Sequence, residues 1–162
     1  MSGSVKVNRK GLKKLKRRVQ KIRTTNIKVG HFGGMHSTAG MTYAQLASIL
    51  EYGAALDNGA VIPPRPSLRQ LGFRWDYEYS KKFVSDIRHD FDRVLIGSSS
   101  VESLMNLSGE RLKTTYQSIM NTWISGGSQN RHNARLTIQL KGFDKPFVES
   151  GELIANVKYK VE

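Results

Sequence analysis

Residues 135–141, Arg135-Leu136-Thr137-Ile138-Gln139-Leu140-Lys141, alternate polar and apolar side chains without a break. A period of two is the pattern of a strand with one face buried and the other wet. The end of the chain repeats it, with Val157, Tyr159 and Val161 set between Lys158, Lys160 and Glu162. A third short strand is predicted at Ile27-Lys28-Val29-Gly30-His31-Phe32, broken by Gly33-Gly34. Helices fill the space between. Thr42 is placed to cap one that runs to Tyr52, with Leu46, Ile49 and Leu50 as its buried side and Gly53 as its stop. Tyr79, Phe83, Ile87, Phe91 and Val94 keep helical spacing up to Gly97. Ser99 and Glu102 then stand in the spacing of a capping box. The helix they open carries Leu104, Leu112, Tyr116, Ile119, Met120 and Trp123 and ends at Gly126-Gly127. A polar loop over 126–133, a turn through Gly142–Pro146 and a short helical segment near Ser150–Ala155 follow. The expectation is an α+β domain: an antiparallel sheet of three or more strands packed against two long helices.

Working outward to the N-terminus, the charge is uneven. The chain carries a net charge of +13, yet residues 1–23 hold ten Lys or Arg and no acid, so the remainder is nearly balanced. Within that basic element Leu12, Leu15, Val19 and Ile22 recur at three- and four-residue intervals, the signature of an amphipathic helix. Its apolar stripe is narrow and predicts docking against something. The organisation expected is a basic N-terminal helix or arm over 1–24 and one domain over 25–162, a length that fits a single core. The cations Lys10, Lys13, Lys14, Arg17, Arg18 and Lys21 are candidates to meet DNA or an acidic partner, and a merely solvated face is the alternative.

Residues 53–66 end in Val61-Ile62-Pro63-Pro64-Arg65-Pro66. Proline restricts itself and the residue before it to extended backbone and removes a donor, so this stretch is a stiff strap. A long irregular segment inside a compact domain points to function or to an interface.

Composition removes several chemistries. The chain has no cysteine, which excludes disulfides, thiolate metal sites and Cys nucleophiles. His31, His36, His89 and His132 are scattered without ligand-like spacing. Gly30-His31-Phe32-Gly33-Gly34 fits neither a dinucleotide fingerprint nor a P-loop, and no G-x-S-x-G elbow is present. Asp86, Asp90, Asp92 and Glu78 share a helix with Lys81, Lys82, Arg88 and Arg93, which reads as a solvated face of weak ion pairs. The sequence therefore predicts no enzyme, no cofactor and no metal. The basic start lacks the apolar run of a secretory signal and no apolar run is long enough to span a bilayer, so a soluble, cytoplasmic setting is expected.

Two segments carry more than this. One is Glu51-Tyr52-Gly53 followed by Ile62-Pro63-Pro64-Arg65-Pro66-Ser67-Leu68-Arg69; the other runs from Trp123-Ile124-Ser125-Gly126 through Leu136-Thr137-Ile138-Gln139-Leu140-Lys141-Gly142-Phe143-Asp144-Lys145-Pro146-Phe147-Val148-Glu149-Ser150-Gly151-Glu152-Leu153. With the early Val29-Gly30 strand, Tyr43-Ala44-Gln45-Leu46-Ala47 and the closing alternating segment, their order resembles the neck or tail-completion (head–tail joining) protein family of long-tailed bacteriophages. The resemblance covers about residues 27–162. It departs at Ser67, where the family carries an aromatic, and at Glu149-Ser150, where it carries Asp-Thr.

The resemblance implies a non-enzymatic virion protein at the head–tail junction, assembled in the host cytoplasm. It implies a homo-oligomeric ring, hexamer or dodecamer, in a neck, tail-completion or tail-terminator role. Its partners would be portal or connector and tail-tube or tail-sheath proteins, with DNA passing through the channel and no membrane. The interface residues so implied are Glu51, Tyr52, Gly53, Pro63, Pro64, Arg65, Pro66, Arg69, Lys145, Pro146 and Gly151. Arg65 and Arg69 are expected to pair with carboxylates of a neighbour. The rival expectation is a stand-alone basic DNA-binding protein. A small hydrolase would need a catalytic cluster that the sequence does not contain.

Overall fold

The computed structural model describes residues 9–123, 132–147 and 150–162. The helix expected to end at Gly126-Gly127 stops earlier, at Asn121, with Thr122 as its cap and Trp123 beyond it. Gly126-Gly127, the start of the polar loop and Val148-Glu149 lie outside the described residues. The elements run α1 (Arg9–Thr24), β1 (Ile27–Gly30), α2 (Tyr43–Tyr52), β2 (Ala54–Ala55), β3 (Val61–Ile62), α3 (Ser67–Arg74), a π turn (Trp75–Tyr79), α4 (Ser80–Ile96), α5 (Val101–Asn121), α6 (Arg135–Lys141), α7 (Glu152–Ala155) and β4 (Lys158–Val161).

The expected sheet is not there. The structure is 61% helical, and its strands form two separate antiparallel pairs, β1 with β4 and β2 with β3. The segment 135–141, which set the α+β expectation, is a helix. Its C-terminal end has a local solution, because Gly142 takes the left-handed conformation at φ 77° and its N–H donates to Ile138 O at 2.8 Å. Seven alternating residues are also two turns of helix, and no described strand pairs with them. Leu140 stands 80% exposed and Ile138 half-buried, so these two do not share a buried face.

Local signals elsewhere are met closely. Thr42 forms a full capping box with Gln45, whose amide N–H donates to Thr42 Oγ1 at 3.2 Å while its side chain accepts from Thr42 N–H at 2.9 Å. The cap of α5 sits one residue later than expected, on Ser100, whose Oγ accepts from Ser103 N–H at 3.0 Å. Gly97 stops α4 in the left-handed region at φ 87°.

Helix α5 is the spine. Leu104 and Met105 at one end join Val94 and Val101 in a cluster that Ile22, Ile87, Phe91 and Val161 cover. Tyr116, Ile119 and Met120 at the other end join Tyr43, Leu71, Trp123, Phe147, Leu153 and Val157. Burying each large side chain contributes about 1.5–3 kcal/mol, against a few tenths for an exposed pair such as Arg93–Asp90, so this stripe and not the charged face holds the helices together. The β1–β4 ribbon, in register from Ile27–Val161 to Gly30–Lys158, lies on α5. The basic helix α1 docks by only part of its stripe: Leu15 and Ile22 are half-buried, while Leu12 and Val19 stay exposed. Ile22 packs against the core, and Arg18 donates from Nη1 to Leu95 O at 3.0 Å, at the carbonyl end of α4. No helix among the described residues is long and apolar enough to cross a membrane.

Candidate functional site

The strap is bound to its own chain by a reciprocal clasp. Helix α2 ends with unpaired carbonyls and α3 begins with unpaired N–H groups. The Glu51 carboxylate, on α2, accepts from the backbone N–H of Leu68 at 2.9 Å and of Arg69 at 3.1 Å, and so caps α3. Arg69, on α3, returns the contact: its Nε donates to Glu51 Oε1 at 3.1 Å and its Nη2 to Glu51 O at 2.7 Å. Glu51 is buried to 5% exposure by the arrangement. Tyr52 beside it is exposed, its ring 5.4 Å beneath the Arg69 guanidinium.

Gly53 is required by the strap's path. At φ 77° a side chain is strained, and a Cβ would lie 2.6 Å from Ile62 O and 3.1 Å from Pro64. The strap then pairs briefly as β3 and turns back, where Arg65 N–H donates to Leu50 O at 2.5 Å. The long irregular segment thus holds a small hairpin.

Arg65 is 5% exposed and points into the molecule. Its Nη2 donates to His132 O at 3.3 Å and to Asn133 Oδ1 at 3.2 Å. Burial lowers its pKa below the usual guanidinium range, which the nearby Asp144 charge opposes. Asp144 accepts from Asn133 N–H at 2.8 Å and contacts the His132 ring. One arginine therefore fastens the strap to the segment before α6. Both arginines expected to reach a neighbour are engaged within the chain.

The second segment is equally specified. Lys145 Nζ donates to Asn121 Oδ1 at 3.2 Å, Pro146 and Phe147 are buried, and the Phe147 ring meets Trp123 edge-on at 5.1 Å. Gly151 takes φ 77° to open α7. That turn presents Glu152, which accepts from Ser37 Oγ at 2.5 Å, Ser37 N–H at 3.2 Å and Tyr43 OH at 3.0 Å. These hydrogen bonds, the Ser37 side chain's first, hold the Glu152 carboxyl below the usual range. Beneath lies a polar run in the core. Tyr116 OH and Ser67 Oγ are 3.1 Å apart, and burial pushes the phenol up to about 12. His31 Nε2 sits 2.8 Å from Leu153 O, and burial lowers its pKa.

The two segments face each other across a groove of about 280 Å³. Val61, Ile62, Pro63 and Arg65 form one wall, and Pro146, Phe147, Gly151 and Glu152 the other, with Leu46 and Leu50 of α2 as the floor. The structure thus brings Pro63, Arg65, Pro146 and Gly151 to one place. Glu51, Tyr52 and Arg69 lie on the far side of α2, and Lys10, Lys13, Lys14, Arg17 and Lys21 stand exposed on α1. Missed from the sequence were Phe73 and Tyr77, large aromatics left in solvent on α3 and the π turn. Their signal was available, since they fall off the stripe that Tyr79, Phe83 and Ile87 define.

No known protein family, curated protein or solved structure matches the chain.

Proposed function

We propose that the chain is a structural subunit of a tailed phage that assembles into a ring at the head–tail junction, acting by geometry and surface rather than by catalysis. The observation that carries this is the convergence of the two resembling segments. They are distant in sequence, yet both line one groove, joined through the Arg65 contacts to His132 and Asn133, which Asp144 in turn holds. Large apolar side chains left in solvent, among them Phe73, Tyr77 and Val61, agree with a chain that another subunit covers. Native mass spectrometry of the purified chain should give a closed hexamer or dodecamer. A chain that stays monomeric at the highest soluble concentration would count against the ring.

A second reading has its own observation. Among the described residues no acid pairs with the exposed cations of α1. A stand-alone DNA-binding protein would bind duplex DNA as a monomer, with a log-log salt slope of about −0.9 per phosphate neutralised.

A further inference from the structure

The tip of the β2–β3 hairpin carries the chain's only Asn-Gly pair, Asn58-Gly59. Its turn is closely specified. Gly59 N–H donates to Leu56 O at 2.9 Å and Leu56 N–H to Ala60 O at 2.8 Å, so Asp57, Asn58 and Gly59 make the whole loop. Gly59 takes the left-handed conformation at φ 78°, as the last position of a three-residue hairpin loop commonly does. Every residue from 55 to 61 is exposed. The Asn58 side chain folds back along the turn, where its Oδ1 accepts from Ala60 N–H at 3.0 Å.

Three features of this turn favour attack of a main-chain nitrogen on the Asn58 carboxamide. The side chain is drawn toward the main chain that follows it. Gly59 has no side chain to hinder the approach, and the space where a Cβ would stand is open. Ala60 N–H already donates to the oxygen on which negative charge develops when the amide carbon is attacked. One contact opposes it, because Gly59 N–H must first leave Leu56 O. That guard is weak: the hairpin pairs only Ala54 with Ile62 and Ala55 with Val61, and so short a two-stranded ribbon is marginal by itself.

We propose that Asn58 is a site of spontaneous rearrangement in the folded chain, with Gly59 N as the nucleophile. The nitrogen forms a bond to Asn58 Cγ and gives up its proton, the Cγ–Nδ2 bond breaks, and Nδ2 leaves as ammonia. Water then opens the resulting succinimide. Cleavage at Cγ leaves aspartate, whereas cleavage at the main-chain carbonyl leaves isoaspartate. The other described asparagines, Asn26, Asn106, Asn121, Asn133 and Asn156, are followed by Ile, Leu, Thr, Ala and Val, whose side chains shield the nitrogen. Isoaspartate lengthens the main chain by one carbon and sets a new carboxylate beside Asp57, in the turn that holds Val61 of the strap in place.

The test incubates the full chain in mildly alkaline buffer beside a synthetic peptide of residues 55–61. Peptide mapping by mass spectrometry counts amide-to-acid conversion at each asparagine, and chromatography separates aspartate from isoaspartate. Asn58 should convert ahead of every other described asparagine, at a rate within about tenfold of the peptide's, since local opening of an exposed loop costs little. An Asn58 that stays intact while the peptide is half converted, or another described asparagine that leads, overturns the proposal. Hydrogen exchange reads the consequence: the Leu56 and Ala60 amides should lose protection in the isoaspartate form, while Arg65 N–H, held on Leu50 O, keeps its own. Asn58→Gln, incubated in parallel, should remain unconverted at that position and keep the Leu56 amide protected. Equal loss of protection in that variant would show that the loosening has another cause.

Discussion

Glu51 does two things that a residue of another type would not do together. Its carboxylate accepts from two backbone N–H groups at the start of α3, and it pairs with the Arg69 guanidinium, which in turn satisfies a carbonyl at the end of α2. Glutamine has nearly the same shape but replaces one acceptor oxygen with an NH2 group. That donor would be set against N–H groups that need an acceptor, at a position 5% exposed. Leaving buried donors unsatisfied costs about 1–3 kcal/mol, and Arg69, being well exposed, recovers part of its loss from water. Glu51→Gln should therefore lower stability by about 1–3 kcal/mol, or about 2–4 °C of Tm per kcal/mol for a chain of this size. A urea titration of both proteins measures it, and an unchanged midpoint would show that the clasp contributes nothing.

At the scale of elements, two glycines in helices make opposite predictions. Gly72 in α3 has open space where a Cβ would stand, so Gly72→Ala should stabilise by about 0.5–1 kcal/mol through the backbone freedom it removes from the unfolded chain. Gly109 in α5 would gain the same helix propensity, but its Cβ would fall within the Tyr159 ring of β4. Overpacking costs about 1–3 kcal/mol and outweighs the gain. Gly109→Ala should thus destabilise, and the paired melting curves would contradict this packing if both shifts had the same sign. The same distinction between local and tertiary causes explains what could be read from the sequence. Thr42 as a cap, Gly97 as a stop, and the stripe through Leu104, Tyr116 and Ile119 are decided by neighbours in the chain, and the structure keeps them, whereas Trp123 lies past the helix end at Asn121. The segment 135–141 is not. Its period of two needs a partner strand to mean anything, and β1 and β4 pair with each other instead. The groove was half legible for the same reason. Its walls were marked as unusual segments, but that Arg65 fastens one to the other depends on a long-range contact that no spacing encodes.

For the molecule as a whole, the question is what a balanced body gains from a helix that carries most of its excess charge. Helix α1 divides its cations by role. Arg18 is anchored to Leu95 O and packs over Gly97, where a Cβ would meet its guanidinium, so it belongs to the fold. Lys10, Lys13, Lys14, Arg17 and Lys21 touch solvent and pair with no acid among the described residues. Changing those five to Gln should leave stability within about 0.5 kcal/mol, whereas Arg18→Ala should cost about 1–2 kcal/mol by freeing the C-terminus of α4. Binding separates them the other way. If α1 lies against DNA in a channel, the five-residue variant should flatten the log-log salt slope for duplex DNA by about 0.9 for each phosphate it no longer neutralises, and Arg18→Ala should leave the slope nearly as it was. Measuring both variants in one salt series is decisive, because a general loss of folding would weaken the two alike. An unaltered chain whose DNA affinity does not change with salt would remove DNA from the account and leave an acidic protein surface or a solvated face as the readings of α1.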